Sequence, residues 1–179
     1  MKNVLISTGG TGGHVIPALN INDHLSNIFN TYIVTDLRGI KFIDKNKYKF
    51  EVIETPKFPS SLTKYPIYFF LIIYSLVKSF LYLKKKKIHY LISTGGYMSI
   101  PLCISAKFLG INIYLFEPNK VLGKSNKLIL RFCKKIICNY ENIINFPSKF
   151  DDKIFLIKPI LKKEIFLINK NKKTPNNGF

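Results

Sequence analysis

One histidine placed at the end of a glycine-rich turn has the means to move a proton. Gly9-Gly10-Thr11-Gly12-Gly13-His14 follows an apolar run, and four glycines bring backbone N–H groups close to a ligand with no Cβ in the way. Thr11, Gly12 and Gly13 offer N–H donors and a hydroxyl suited to diphosphate oxygens, and a helix beginning near residue 15 adds the positive end of its dipole. That same positive end disfavours imidazolium, so His14 reads as a neutral base able to take a proton from an attacking hydroxyl. A purely structural histidine that orders the loop is the alternative. His24, inside the following helix, and His89, at the start of a strand, read as structural. The hexapeptide Leu-Ile-Ser-Thr-Gly-Gly occurs twice, at residues 5–10 and again at 91–96, and a second helix follows the second copy.

These turns need strands before them and helices behind them. Residues 4–6 read as a short buried strand, and residues 15–25 as a helix with Pro17 in its first turn. Further strands are expected at 32–35, 50–55, 89–93, 111–116, 136–138 and 154–157, with a helix over 125–135. Strands alternating with helices predict an α/β domain with an open, Rossmann-like parallel sheet. Ligands of such sheets bind beyond the carboxyl ends of the strands, where both glycine turns fall. The first turn lacks the Lys-Ser/Thr pair of a P-loop, and a dinucleotide fingerprint would need glycine where Val15 stands. Asp36, ending the second strand, imitates a ribose-binding acid and keeps a nucleotide-cofactor protein as a rival reading.

Three motifs in order carry a resemblance: Gly9 to His14, then Ser93-Thr94-Gly95-Gly96-Tyr97, then Phe116-Glu117-Pro118-Asn119. From residue 1 to about 167 the sequence resembles the N-terminal, acceptor half of the GT-B glycosyltransferases of family 28 that act in peptidoglycan synthesis. The resemblance implies an inverting transfer of N-acetylglucosamine from UDP-N-acetylglucosamine to an undecaprenyl-diphospho-muramoyl-pentapeptide. His14 would be the base, and Gly95, Gly96 and Tyr97 would lie near the acceptor's diphosphate. Asn119 would touch the donor nucleotide, and Glu117 would orient groups or bind acceptor. Phe116 and Pro118 stand where the family has His and Gln. Leu161 stands where a donor-contacting arginine is expected, with Lys162 or Lys163 as point-charge substitutes. No cofactor is implied, and no Asp-x-Asp pair is placed to hold a metal. The family's donor half would follow residue 168, where the sequence turns polar over 169–179 like a linker or tail. Either a truncated product or one chain of a split enzyme is expected. A membrane-recruiting, acceptor-binding subunit without activity of its own is therefore the second reading.

The 179 residues suit one domain, and 47% hydrophobic content excludes global disorder. The net charge is +18, and all but two of the 28 basic residues are lysine. Such a charge attracts anionic surfaces, but no zinc-finger spacing or aromatic RNP pattern points to specific nucleic-acid binding. Residues 66–77 carry no charge, and Lys84, Lys85, Lys86 and Lys87 close the stretch. It is borderline in length for a span, and spanning would split the sheet. The expectation is a helix over residues 65–87 lying on an anionic membrane, apolar all round. Cys103, Cys133 and Cys138 make no CxxC pair and read as buried thiols. With no secretory segment before the first strand, the expected place is the cytoplasmic face of the bacterial inner membrane, held peripherally.

Overall fold

The computed structural model describes residues 1–56, 59 and 61–162. The polar stretch 169–179 and Lys163 lie outside the described residues. Seven strands form one parallel sheet: β1 (Asn3–Ser7), β2 (Asn30–Thr35), β3 (Phe50–Val52), β4 (Tyr90–Ser93), β5 (Asn112–Glu117), β6 (Lys135–Cys138) and β7 (Ile154–Leu156). Their order is β3-β2-β1-β4-β5-β6-β7, so the direction of winding reverses between β1 and β4. At that switch point Ser7 pairs with Ser93, and the two copies of the hexapeptide run side by side. The fold expected from the alternation of strands and helices is thus the fold observed.

Four helices connect the strands: α1 (Gly12–Leu25), α2 (Tyr65–Lys85), α3 (Ser99–Phe108) and α4 (Lys124–Ile129). One face of the sheet carries the larger core, where Leu83 of α2, Leu102 and Ala106 of α3 and Ile129 of α4 meet Leu5, Leu91 and Leu115. On the other face Ala18 and Ile21 of α1 pack on Val4, Ile6 and Phe116.

Most boundaries fall within two residues of expectation, and three differ by more. α1 begins at Gly12, three residues early, because Thr11 is an extended N-cap and the glycines coil at once behind it. Pro17 therefore sits inside the helix, and the carbonyl it leaves unpaired belongs to Gly13, which faces solvent. The third strand ends at Val52 rather than Thr55, as a short edge strand. The helix expected over 125–135 is α4 plus a 3-10 turn at Leu130–Phe132, since Lys134 N–H already donates to Ile113 O at 2.8 Å.

The three cysteines are free and buried, and burial pushes the Cys133 thiol up to about 12 and Cys138 to about 11.

α2 is long and apolar enough to cross a membrane, and 17% of its most apolar window is buried. Ser75, Ser79 and Leu83 face the domain, and Ser75 Oγ donates to Glu54 O at 3.2 Å. Tyr65, Ile67, Phe69, Phe70, Ile73, Tyr74, Val77 and Leu81 are exposed. β3 and β4, on either side of α2 in sequence, belong to the same sheet, so the helix lies alongside it.

Candidate functional site

Both glycine turns leave the sheet at its carboxyl end, from paired strands. In the first, Thr11 caps α1 without a side-chain bond and is an exposed residue. The N–H groups of Gly12 and Gly13 donate to nothing among the described residues, so two donors at a helix N-terminus stand open. The turn is braced from within by Asp36. Its Oδ1 accepts from Gly10 N–H at 2.9 Å and Gly39 N–H at 2.8 Å, and its Oδ2 accepts from Arg38 at 2.9 and 3.1 Å. Burial alone would raise this carboxyl, but those backbone donors and the Arg38 guanidinium outweigh it and hold the pKa below its ordinary value. Asp36 is thereby consumed by the fold. The ribose-acid reading that supported a nucleotide-cofactor protein falls, because both oxygens face the turn.

The second turn is pressed against the first. Gly95 (φ +112°) and Gly96 (φ +92°) are both left-handed. A Cβ on Gly96 would stand 3.0 Å from the Gly9 carbonyl oxygen, so the two turns touch backbone to backbone. A Cβ on Gly95 would lie 2.7 Å from His14 Cε1 and 2.8 Å from Nδ1, so the imidazole rests on Gly95. Thr94 Oγ1 donates to His14 O at 2.9 Å and ties the same two segments together. His14 is half-buried, with its Nδ1 covered and its Nε2 edge on the accessible side.

Glu117 is fully buried as the last residue of β5. Its Oε1 accepts from Asn119 N–H and Nδ2 at 3.2 and 3.0 Å, and its Oε2 accepts from Gly123 N–H at 3.1 Å and Asn126 Nδ2 at 2.7 Å. Four donors converge on two oxygens, so Glu117 shapes the loop from 118 to 126 and has no surface left for a ligand. Of its two expected roles, orientation fits the geometry and contact with acceptor does not. Asn119 is exposed, and its amide oxygen has no partner among the described residues. Tyr97 is half-buried and close enough to Tyr68 of α2 that its hydroxyl, after burial and together with Tyr65, raises the Tyr68 phenol. The second turn is thus continuous with the N-terminal end of the apolar helix.

Residues outside this crevice are also placed. His24 Nε2–H donates to Leu161 O at 3.0 Å and Asn20 Nδ2 to Ile160 O at 3.1 Å, so the segment after β7 is strapped to α1. His24 lies ten residues on from His14, about 15 Å down the helix, so Leu161 stands well away from the glycine turns. His89 Nδ1 accepts from Asn3 N–H at 3.1 Å and holds β1 beside β4. Among the described residues no three His, Cys, Asp or Glu side chains are grouped to hold a metal ion. Asn126 and the brace of Asp36 with Arg38 are the groups that motif reading missed. Only the polar residues on the buried face of α4, Ser125 and Asn126, hint at the first.

An all-parallel sheet with glycine turns on both strands of its switch point defines a Rossmann-like domain, of the kind that forms the N-terminal half of GT-B enzymes. The chain belongs to glycosyltransferase family 28, whose N-terminal domain matches residues 4–138. It is 46% identical over 165 residues to the UDP-N-acetylglucosamine–N-acetylmuramyl-(pentapeptide) pyrophosphoryl-undecaprenol N-acetylglucosamine transferase of Pelagibacter ubique, covering 92% of this chain and 46% of that relative. The transferase of the same name from Rickettsia prowazekii is 37% identical over 169 residues, covering 92% and 42%. In structure it matches Acinetobacter baumannii MurG with a TM-score of 0.74 at 22% identity, over 98% of this chain and 50% of that one. A UDP-GlcNAc 2-epimerase from Neisseria meningitidis shares the fold at TM-score 0.62 and 12% identity, over 86% and 45%. The chain spans about half the length of the curated relatives it matches.

Proposed function

We propose that this chain is the acceptor half of an inverting N-acetylglucosaminyltransferase that glycosylates an undecaprenyl-diphospho-muramoyl-pentapeptide from UDP-N-acetylglucosamine. The observation that carries the reading is the seating of the His14 ring on Gly95, with Gly96 against Gly9. One crevice thereby holds two phosphate-type turns and a base. The open N–H groups of Gly12 and Gly13 and the backbone of the second turn hold the acceptor diphosphate. His14 accepts the proton of the muramoyl C4 hydroxyl as its oxygen bonds to C1 of the donor sugar. The C1–O bond to UDP breaks on the opposite face, and UDP leaves with the bonding electrons, so the anomeric centre inverts. Asn119 contributes its free amide oxygen to the donor nucleotide. The donor itself needs a second half, which a further domain or a separate chain supplies.

The apolar face of α2 extends from Tyr97 at the crevice along about 31 Å of helix, a natural path for the acceptor's lipid on a membrane surface. Of the lysine run, Lys86 is engaged with Glu51 at 3.2 Å and over the Tyr32 and Tyr82 rings. Lys84, Lys85 and Lys87 are the exposed ones and face anionic headgroups, on the cytoplasmic leaflet of a bacterium. Flotation with vesicles tests this: binding to anionic liposomes should weaken with salt and again when these three lysines become glutamine. Equal partitioning to neutral and anionic vesicles would remove their role.

Transfer is tested with the C-terminal half of the Pelagibacter relative supplied as a separate or fused chain. The chain alone should bind acceptor and transfer nothing. With the donor half, His14→Ala should lower turnover by roughly 10²–10⁴-fold, the usual worth of a general base, while acceptor affinity changes little. Loss of binding and stability together, with turnover per bound complex kept, would make His14 structural.

A further inference from the structure

His14 Nδ1 and Asn126 Oδ1 are among the buried polar atoms that have no hydrogen-bond partner among the described residues. They flank the same glycine. The position a Cβ on Gly95 would take is 2.8 Å from His14 Nδ1 and 3.0 Å from Asn126 Oδ1. Two atoms within 3.0 Å of one point need only a small turn of the ring to meet in a direct hydrogen bond. Leaving both unsatisfied would cost about 1–3 kcal/mol each, so the pairing has a strong physical drive. Asn126 is fully buried, on the short helix α4, and its amide oxygen has no partner among the described residues.

The amide cannot turn over. Its other end meets Glu117 Oε2 at 2.7 Å, and that carboxylate only accepts, taking four N–H donors and facing no acceptor. The atom toward Glu117 must therefore be Nδ2, which leaves Oδ1 toward the histidine. A carbonyl oxygen opposite Nδ1 demands a proton there. We infer that Asn126, held by Glu117, is a positioning residue that fixes neutral His14 as its Nδ1–H tautomer, with the basic lone pair on Nε2 at the accessible edge. This deepens the role proposed for His14 and rests on that reading for its catalytic consequence, though not for the tautomer itself. The same logic operates wherever a second group on one ring nitrogen decides which nitrogen works. It also gives buried Glu117 a function at a distance, through Asn126 rather than through a ligand.

Long-range ¹H–¹⁵N spectra of histidine rings in the whole chain distinguish the two neutral tautomers. Signals are assigned with His24→Gln and His89→Gln and recorded at about pH 9, where imidazole is neutral. The wild type should show His14 as the Nδ1–H form. Asn126→Ala should shift it toward the mixture of a free imidazole, and Glu117→Gln, which releases the amide to flip, should do so in part. His14 found as Nε2–H in the wild type, or unchanged in a folded Asn126→Ala, would overturn the inference. Because the wild-type spectrum decides alone, a variant that fails to fold leaves the test intact. With a donor half present, Asn126→Ala should lower turnover by up to the same 10²–10⁴-fold as loss of the base, without altering acceptor affinity. If His14→Ala leaves turnover unchanged while the wild-type ring is Nδ1–H, the base reading fails and the tautomer assignment stands.

Discussion

Residues 5–10 and 91–96 have the same sequence, pair with one another from Leu5–Leu91 to Ser7–Ser93, and then part at their glycines. In the first copy only Gly10 is left-handed, at φ +82°, and the chain enters α1 two residues later, leaving N–H groups open. In the second copy both glycines are left-handed, and α3 starts only at Ser99, so the backbone between lies flat on its neighbour. The first turn is held by a carboxylate, Asp36, and the second by contact with the first turn and with His14. Identical residues thus take different shapes according to how soon a helix begins after them and which surface they rest on. One copy presents donors, and the other sets the floor under the His14 ring.

Substitutions at equivalent glycines measure that difference. Gly96→Ala should have the largest effect. It places a side chain at φ +92° and forces a Cβ to within 3.0 Å of a backbone oxygen that cannot swing away. Left-handed strain of about 1–2 kcal/mol and overpacking of about 1–3 kcal/mol make a loss of roughly 2–5 kcal/mol, read from urea unfolding. Acceptor binding should fall with it, since the first turn must shift. A loss below about 1 kcal/mol would mean the turns are not rigidly packed.

Asp36→Asn comes next and bears on the first turn alone. An amide keeps the bonds from Gly10 and Gly39 but turns an NH₂ toward Arg38, and bonds to a charged group are worth about 1.5–3 kcal/mol. The wild-type carboxyl has a lowered folded pKa, so its stabilising effect is complete above the ordinary value of 3.8 and disappears as pH falls through the folded pKa. Melting curves should therefore show a wild-type advantage at neutral pH that shrinks below pH 3.8. An advantage that grew in acid would contradict the depressed pKa.

Much of this arrangement was legible in the residues alone. Apolar, β-branched runs gave most of the strands, because in a parallel sheet both faces are buried and the runs need no alternation. The alternation of strands with helices fixed the sheet, and His14 was placed at the end of the first turn, where its ring also meets Gly95 of the second. Helix ends were less legible. Gly12 and Gly13 have poor helix propensity, yet the capped turn draws them into α1, and the ladder at Lys134 cuts the helix after Ile129 short. Asn126 was hard to read for another reason. Its one local hint is a polar pair with Ser125 on the buried face of α4, and only the tertiary fold closes the long stretch of chain between it and Gly95. Asp36 misled for the same cause: a terminal strand acid looks alike whether it faces a ribose or its own turn.

Gly10→Ala is the smallest effect and the sharpest check on the comparison. Gly10 matches Gly96 in the hexapeptide and shares its left-handed φ, but a Cβ there meets only the far end of the Arg38 side chain, at 3.7 Å. The substitution should therefore cost the backbone strain alone, about 1–2 kcal/mol. Its Gly10 N–H bond to Asp36 persists, because alanine keeps the donor. Urea unfolding of Gly10→Ala and Gly96→Ala side by side isolates the packing contribution as their difference, since the torsional penalty is common to both. A gap of at least about 1 kcal/mol is expected. Equal losses would mean that φ alone makes both positions glycine, and that the second turn does not lean on the first; the seating of His14 on Gly95 would then need another support.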